Sequence, residues 1–322
     1  MSHLLSFDTK TTNIDSLVWK PTGSSCYEDA YKSNFMSAVD FLRLSEERKA
    51  LQHNNVVSHD VGASYVQHLW QMVERHNNKT DSKISRLPNT NPICFSWVIH
   101  GTKYSSTSLS FEVYAATQAL AHAKFVEGLK SMDDAEKKNA FDDSILYLKE
   151  LLPMLNEMKT KQFVIPYCPV ELNMEYVKKT ISVVKAFKAL SLIHNDKNVK
   201  IKGNILNTSM KLFSNSWLRQ KVFGELSIQH YFVSRALLYK MLAMNNKKET
   251  DTDNSKCLAA INESFYCKDQ ITKSLCYMSQ ATMKMLEDNE ELIDQKMTLE
   301  RINYALPCDI SEIALPRAVT TE

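Results

Sequence analysis

At 322 residues, with 44% hydrophobic and 24% charged residues, the chain can bury a sizeable core, and its 39 Lys and Arg nearly balance 37 Asp and Glu. Only 6 Gly and 8 Pro interrupt it, which favours long helices and argues against a glycine-rich nucleotide-binding α/β fold. Seven cysteines without a C-x-x-C pair show neither a disulfide framework nor zinc spacing, and the opening MSHLLSFDTK is too briefly apolar for a signal peptide or membrane span, so a cytoplasmic chain is expected.

In chain order, residues 1–25 read as an extended segment anchored by Leu4, Leu5, Phe7, Leu17, Val18 and Trp19. Helical spacing of Tyr31, Phe35, Ala38, Val39 and Leu42 predicts a helix from Tyr27 to about Leu51, paired antiparallel with a second from about Val56 to His76. The polar, turn-rich stretch from His76 to Pro92 is a surface loop. Ile93, Phe95, Trp97 and Ile99 then alternate with period two, the mark of a half-buried strand. A turn over His100 to Lys103 and a return strand from Tyr104 to Thr107 complete a small β-hairpin over 93–107. Ser108 is the expected N-cap of the next helix, whose stripe is Leu109, Val113, Ala116, Leu120, Ala123 and Val126. Ala115, Ala116, Ala119, Ala121 and Ala123 would let a second helix approach closely, so this helix should be central.

Ser131-Met-Asp-Asp opens a helix running towards Lys159 with a bend near Pro153, and Ile165-Pro-Tyr-Cys-Pro169 breaks the chain, with Pro169 suited to a helical first turn. Helices follow over about Val170 to His194, Asn198 to Phe213, Trp217 to Ala243, Ser255 to Leu286 and Asn289 to Ile302. An extended tail occupies 303–322. Successive helical pairs without a strict repeat are expected to form an irregular solenoid over 108–302 with a tetratricopeptide-like core. No shift in composition divides the chain, so 1–322 reads as one mainly α domain.

The sequence contains no P-loop, G-x-G-x-x-G, H-E-x-x-H or G-x-S-x-G motif, so no enzyme, cofactor or metal is expected. Cys94 with His100, and His53 with His59, are the pairs that could be arranged on paper into a dyad or a metal site; lone residues of these types usually pack or face solvent. The clearest asymmetry is electrostatic. From Met174 to Lys221 ten basic residues (Lys178, Lys179, Lys185, Lys188, Lys197, Lys200, Lys202, Lys211, Arg219, Lys221) face only Glu175 and Asp196. Such a stretch is either a solvated lysine face or a surface for an acidic helix or an anionic membrane. Scarce arginine and no interleaved aromatics speak against nucleic acid. Leu190, Ile201, Ile205, Leu206 and Met210 lie among these lysines, which fits either core packing or helix-in-groove recognition with acidic residues paired to the rim.

Several segments, in order, carry a resemblance. FSWVIHGTKYSSTSLSFEVYAATQALA (Phe95 to Ala121) resembles the F-x-W … S-S-x-x-F-E hairpin-to-helix element of the Bro-one domain family, which includes Alix, BROX and short fungal members such as PalC of ambient-pH signalling. FDTKTTNIDS (Phe7 to Ser16) is similar to that family's extended N-terminal segment. SWLRQKVFGELSIQHYFVSRALLYKML (Ser216 to Leu242) is similar to its tryptophan-started solenoid helix, and Asn303-Tyr304 through Leu315-Pro316-Arg317 to its closing tail. Where family members often have Asn-Leu-Gly-Ala, this chain has Ala119-Leu120-Ala121-His122. The resemblance is to the short, domain-only members.

The resemblance implies a boomerang-shaped helical solenoid acting as a non-enzymatic adaptor. Its expected partner is the C-terminal amphipathic helix of an ESCRT-III core subunit of the Snf/CHMP class, met on endosomes in multivesicular-body sorting or pH signalling, with peripheral contact to anionic membrane. Carried onto this chain, the family's apolar patch with basic neighbours falls on Leu190, Ile201, Ile205, Leu206 and Met210, with Leu206 the best-placed contact and Lys202 and Lys211 the acid-pairing residues. A tetratricopeptide-like scaffold for another peptide or protein complex is the alternative expectation.

Overall fold

The computed structural model describes residues 14–23, 27–28, 36–53, 59–78, 94–106, 109–160, 170–194, 198–215, 221–245, 251–273, 296 and 309–318. The Ser108 cap, the Pro169 first turn, the Trp217 helix start and all but one residue of the Asn289 to Ile302 helix lie outside them. Among the described residues eight α-helices and three strands form two compact units, Asn13–Gly128 with Asp142–Lys178, and Met1–Thr12 with Leu129–Phe141 and Lys179–Glu322.

The first unit is built on the strands β1 (Lys20–Thr22), β2 (Phe95–Ile99) and β3 (Thr102–Ser106), in that spatial order and antiparallel throughout. β2 is central and buried on both faces except at Val98, so it is not the half-buried strand its alternation implies. Pro21, which lacks an N–H, sits opposite Trp97 on a β1 that borders the sheet, where a missing donor is tolerated. The hairpin turn is shorter than expected. Ile99 pairs directly with Thr102, leaving His100 (φ 49°) and Gly101 (φ 84°) as a two-residue loop with both residues left-handed, which matches the twist of the strands. Glycine adopts this conformation at little cost, and histidine tolerates it.

Helices α1 (Ala38–His53) and α2 (His59–Asn78) pair antiparallel: Arg43 reaches His68, and Glu47 accepts from Ser64 Oγ and His68 Nδ1. Helix α3 (Leu109–Lys130) is the centre of the unit, buried on every side from Phe111 to His122. The expected stripe was therefore only part of its contact surface. The alanines do allow close approach, since Ser144 Oγ on α4 (Asp134–Thr160) donates to the Ala121 carbonyl at 2.8 Å. α4 starts where Asp133 Oδ1 accepts from the Glu136 N–H, and it runs through Pro153 to Thr160.

The second unit contains most of α5 (Met174–Ser191), then α6 (Val199–Ser214), α7 (Lys221–Asn245) and α8 (Asp251–Lys273). α6 and α7 are antiparallel, with Phe213 against His230 at one end and Gly203 against Met241 at the other. α7 and α8 are antiparallel as well: Arg235 pairs with Glu263, Ser264 Oγ donates to the Ala236 carbonyl and Cys257 Sγ to that of Ala243. α8 begins at Asp251, four residues before the expected Ser255. The tail returns as a 3-10 turn, Ile310–Glu312, fixed by an Asp309/Glu312 capping box. It buries Ile313 among Tyr239, Ala243, Cys257, Ala259, Ala260 and Ile261.

Candidate partner-binding face

Helix α6 starts where Asn198 Oδ1 accepts from the Lys200 N–H at 2.9 Å. At about 100° per residue, its side chains divide into two opposed rows. Gly203, Leu206, Asn207, Met210 and Phe213 are buried and turn inward; Thr208 and Ser209 on the other side are buried too, Ser209 Oγ donating to the Ala186 carbonyl of α5 at 3.4 Å, so the opposite row is most open at its N-terminal end. Ile201, Ile205 and Leu212 form the opposite row; Ile201 is 41% exposed and the other two are half-buried. Lys202 flanks this row on one side, and Lys200 and Lys211 flank it on the other, the latter two exposed. The 3-10 turn Leu192–His194, which packs on α6, adds Leu192 at 41% exposure, and the first residue of α6, Val199, is 45% exposed. The N-terminal end of α6 thus carries a concentration of uncovered aliphatic side chains.

The sequence-derived residues accordingly separate. Ile201, Lys202, Ile205 and Lys211 lie on or beside the outer row. Leu190, Leu206 and Met210 are buried in the unit, so Leu206 is core and not the most accessible contact. Gly203, which breaks the apolar pattern, has a packing cause: a Cβ there would lie 2.6 Å from Met241 Cε and 3.0 Å from Pro316 Cγ. Leu192, Val199 and Leu212 were not singled out from sequence. Of these only Leu212 had a signal, since Lys200, Lys202 and Lys211 bracket its row; Val199 lies towards the inner row and Leu192 on the preceding turn.

Beneath this face Phe187, Phe213 and His230 form an aromatic cluster joining α5, α6 and α7, with ring centroids 4.6 to 5.9 Å apart. His230 Nδ1 donates to the Leu226 carbonyl at 2.8 Å. Burial pushes its pKa down to about 4, so the ring is neutral here.

In the first unit the polar residues form a closed network around Glu112. Its Oε1 accepts from Arg48 Nε at 2.9 Å and from the Tyr65 hydroxyl, and its Oε2 accepts from Trp97 Nε1 at 2.6 Å. Arg48 also donates to the carbonyls of Gly23 (2.7 Å) and Ser96 (3.0 Å). Burial first, and Glu112 second, hold the Tyr65 phenol well above its ordinary pKa. Arg48, Tyr65 and Trp97 all donate within the fold, and the tryptophan and glutamate of the hairpin-to-helix segment are direct hydrogen-bond partners.

His122, at the departure Ala119-Leu120-Ala121-His122, is fully buried. Its Nδ1 donates to the Leu17 carbonyl at 2.8 Å, its Nε2 accepts from Gln118 Nε2 at 2.9 Å, and Trp19 meets it edge-on. Burial lowers its pKa to about 3. Cys94 and His100 lie at opposite ends of β2, separated by its five residues and so, over six steps of extended chain, by roughly 20 Å. They are not brought together as a dyad. The His53 and His59 side chains are outside the described residues. Among the described residues no three His, Cys, Asp or Glu converge as metal ligands, and no helix is long and apolar enough to cross a membrane.

No protein-family model matches the chain, and no curated protein does. Solved structures do. ALIX in complex with the SIVmac239 PYKEVTEDL late domain aligns with a TM-score of 0.65 at 10% identity, over 94% of this chain and 47% of that one, so this chain spans about half of ALIX as crystallised there. An ALIX BRO1–CHMP4C complex aligns with a TM-score of 0.62 at 11% identity, over 94% and 92% of the two chains. A structure described as the basis for endosomal targeting by the Bro1 domain aligns at 0.58 and 14% identity, over 94% and 89%. The mainly helical arrangement, the small three-stranded sheet ahead of α3 and these alignments agree: the chain has the fold of the Bro1 domain.

Proposed function

We propose that the chain, as a single Bro1-like domain over 1–322, is a non-enzymatic adaptor. Its partner is an ESCRT-III subunit of the Snf/CHMP class, bound through that subunit's C-terminal amphipathic helix. The observation that carries this reading is the outer row of α6, an apolar strip of Ile201, Ile205 and Leu212 between Lys202 on one flank and Lys200 and Lys211 on the other. A helix with an apolar face and acidic edges matches that surface in shape and charge. The fold supports the choice of partner, since an ALIX BRO1 domain with this fold has been solved with CHMP4C. Leu190, Leu206 and Met210 support the face from beneath, and Lys202 and Lys211 pair with acidic residues of the partner. The adaptor is cytoplasmic and peripherally recruited to endosomes, with peripheral contact to anionic membrane. Its pathway is multivesicular-body sorting or ambient-pH signalling.

The test is titration of the full chain with a labelled peptide spanning the C-terminal helix of a Snf-class subunit, at low and high salt. Micromolar binding that weakens with salt, and that is lost in Ile201→Asp while the melting temperature is kept, is the expected result. Absence of binding at either salt refutes the ESCRT-III reading and favours a tetratricopeptide-like scaffold for another peptide.

A further inference from the structure

The inward row of α6 meets the chain's own tail in an unusual way. Asn207, 1% exposed, donates from Nδ2 to the Pro316 carbonyl at 2.5 Å. Because that acceptor is a carbonyl, the amide orientation is fixed: nitrogen faces the tail oxygen. Its Oδ1 is then buried with no hydrogen-bond partner among the described residues. A buried amide oxygen is seldom left unpaired, because its desolvation goes uncompensated.

In extended chain the C=O and N–H of one residue point to the same side, as in the doubly bonded pairs of an antiparallel ladder. A side-chain amide beside such a residue can donate to its C=O and accept from its N–H together. Residue 316 is proline, which supplies the acceptor and has no N–H to give. Gly203 completes the seat by letting Pro316 come within reach of the helix where any Cβ would collide. The tail is lightly held there. Leu315 and Arg317 beside it are exposed, and of residues 309–318 only Ile313 is buried.

We propose that the seat formed by Gly203, Asn207 and Met241 is a clamp for an extended peptide, occupied in cis by the tail with one of its two hydrogen bonds unmade. Its fitting occupant is an extended segment in trans whose residue opposite Asn207 is not proline. Such a segment replaces the tail and completes the pair. This site faces away from the outer row of α6 and is independent of the adaptor reading above.

The test has a cis and a trans arm. In the full chain, Pro316→Ala supplies the missing N–H. Tryptic cleavage after Arg317, normalised to the same bond in the isolated tail peptide, should slow about three- to tenfold, the worth of one hydrogen bond. That gain should vanish in Asn207→Ala. In trans, Ile313→Asp frees the seat, and labelled peptides of residues 309–318 with proline or alanine at 316 are titrated against it, after thermal melting shows the variant folded. The alanine peptide should bind about three- to tenfold tighter. Unchanged or faster cleavage in Pro316→Ala, a slowing that survives Asn207→Ala, equal affinity of the two peptides, or no binding of either to the folded variant overturns the proposal. If Ile313→Asp does not fold, the cis arm decides alone.

Discussion

Replacing Glu112 by leucine tests whether the buried network of the first unit is architecture. The carboxylate is fully buried and accepts from Arg48 Nε, the Tyr65 hydroxyl and Trp97 Nε1. Glu112→Leu leaves a guanidinium that is itself 2% exposed without its counter-charge, together with two donors stripped of their acceptor. Removing one partner of a buried pair costs about 3–5 kcal/mol. The Arg48 contacts to Gly23 and Ser96 carbonyls still solvate part of the cation and hold the cost near the lower end. A second substitution, Arg48→Met, on top of Glu112→Leu should restore part of the loss, because no buried charge then remains. The assay is urea unfolding of wild type, both single variants and the double variant, read as a double-mutant cycle. A Glu112→Leu cost below about 1 kcal/mol would refute the reasoning, since it would mean that water or another acceptor already serves Arg48.

The remaining predictions concern acid, packing and the candidate face. His230 and His122 titrate near 4 and 3 in the folded chain against 6.5 unfolded, so the unfolded state binds more protons as pH falls below 6.5. Stability is therefore lost as pH falls from about 6.5, down to about 4 for His230 and about 3 for His122, with about 2 kcal/mol from each ring by pH 5; a urea midpoint unchanged between pH 7 and 5 would contradict this, and His230→Leu should flatten part of the slope. Gly203→Ala places a methyl 2.6 Å from Met241 Cε and 3.0 Å from Pro316 Cγ. The methionine end can swing aside, and the lightly held tail must give by a few tenths of an ångström, so the variant should lose about 1 kcal/mol and loosen the tail, measured by melting and by cleavage at Arg317. Ile201→Asp, at a site 41% exposed, should change stability by less than about 0.5 kcal/mol, whereas Leu206→Asp, at 3% exposed, should cost more than about 3 kcal/mol; equal melting temperatures for the two would place the inner and outer rows wrongly.

Much of the fold was legible because it rests on local rules. Period two gave β2, a turn-forming His100-Gly101 gave the hairpin, and three- and four-residue spacing gave most of the helices within a few residues. Helix-period reading failed at α3 in an instructive way. Glu112, Thr117, Gln118 and His122 look like residues for solvent, yet all four are buried. Each finds a partner only in the folded chain: Glu112 in Arg48, Tyr65 and Trp97, Thr117 in the Val113 carbonyl, Gln118 in His122, and His122 in the Leu17 carbonyl. Three of these four reach residues distant in sequence or depend on one that does. Hydropathy alone cannot tell a satisfied interior carboxylate from a surface one.

The candidate face was legible to the helix and not to the side of the helix. Ten lysines and arginines against two acids identified the stretch from Met174 to Lys221, and isoleucine and leucine among them identified α6. Which apolar residues point outward depends on what covers the other side. Besides α5, which meets Phe213 through Phe187, two coverings decide it: α7, which brings Met241 to Gly203, and a tail 109 residues further along, which brings Pro316 to Asn207. Neither is encoded within the stretch itself. With Gly203 and Asn207 committed inward, a half-turn of the helix leaves Ile201, Ile205 and Leu212 outward, and the lysines fall on the two borders between the rows. A sequence reading that had treated Gly203 as a contact instead of a defect in the apolar pattern would have turned the helix correctly.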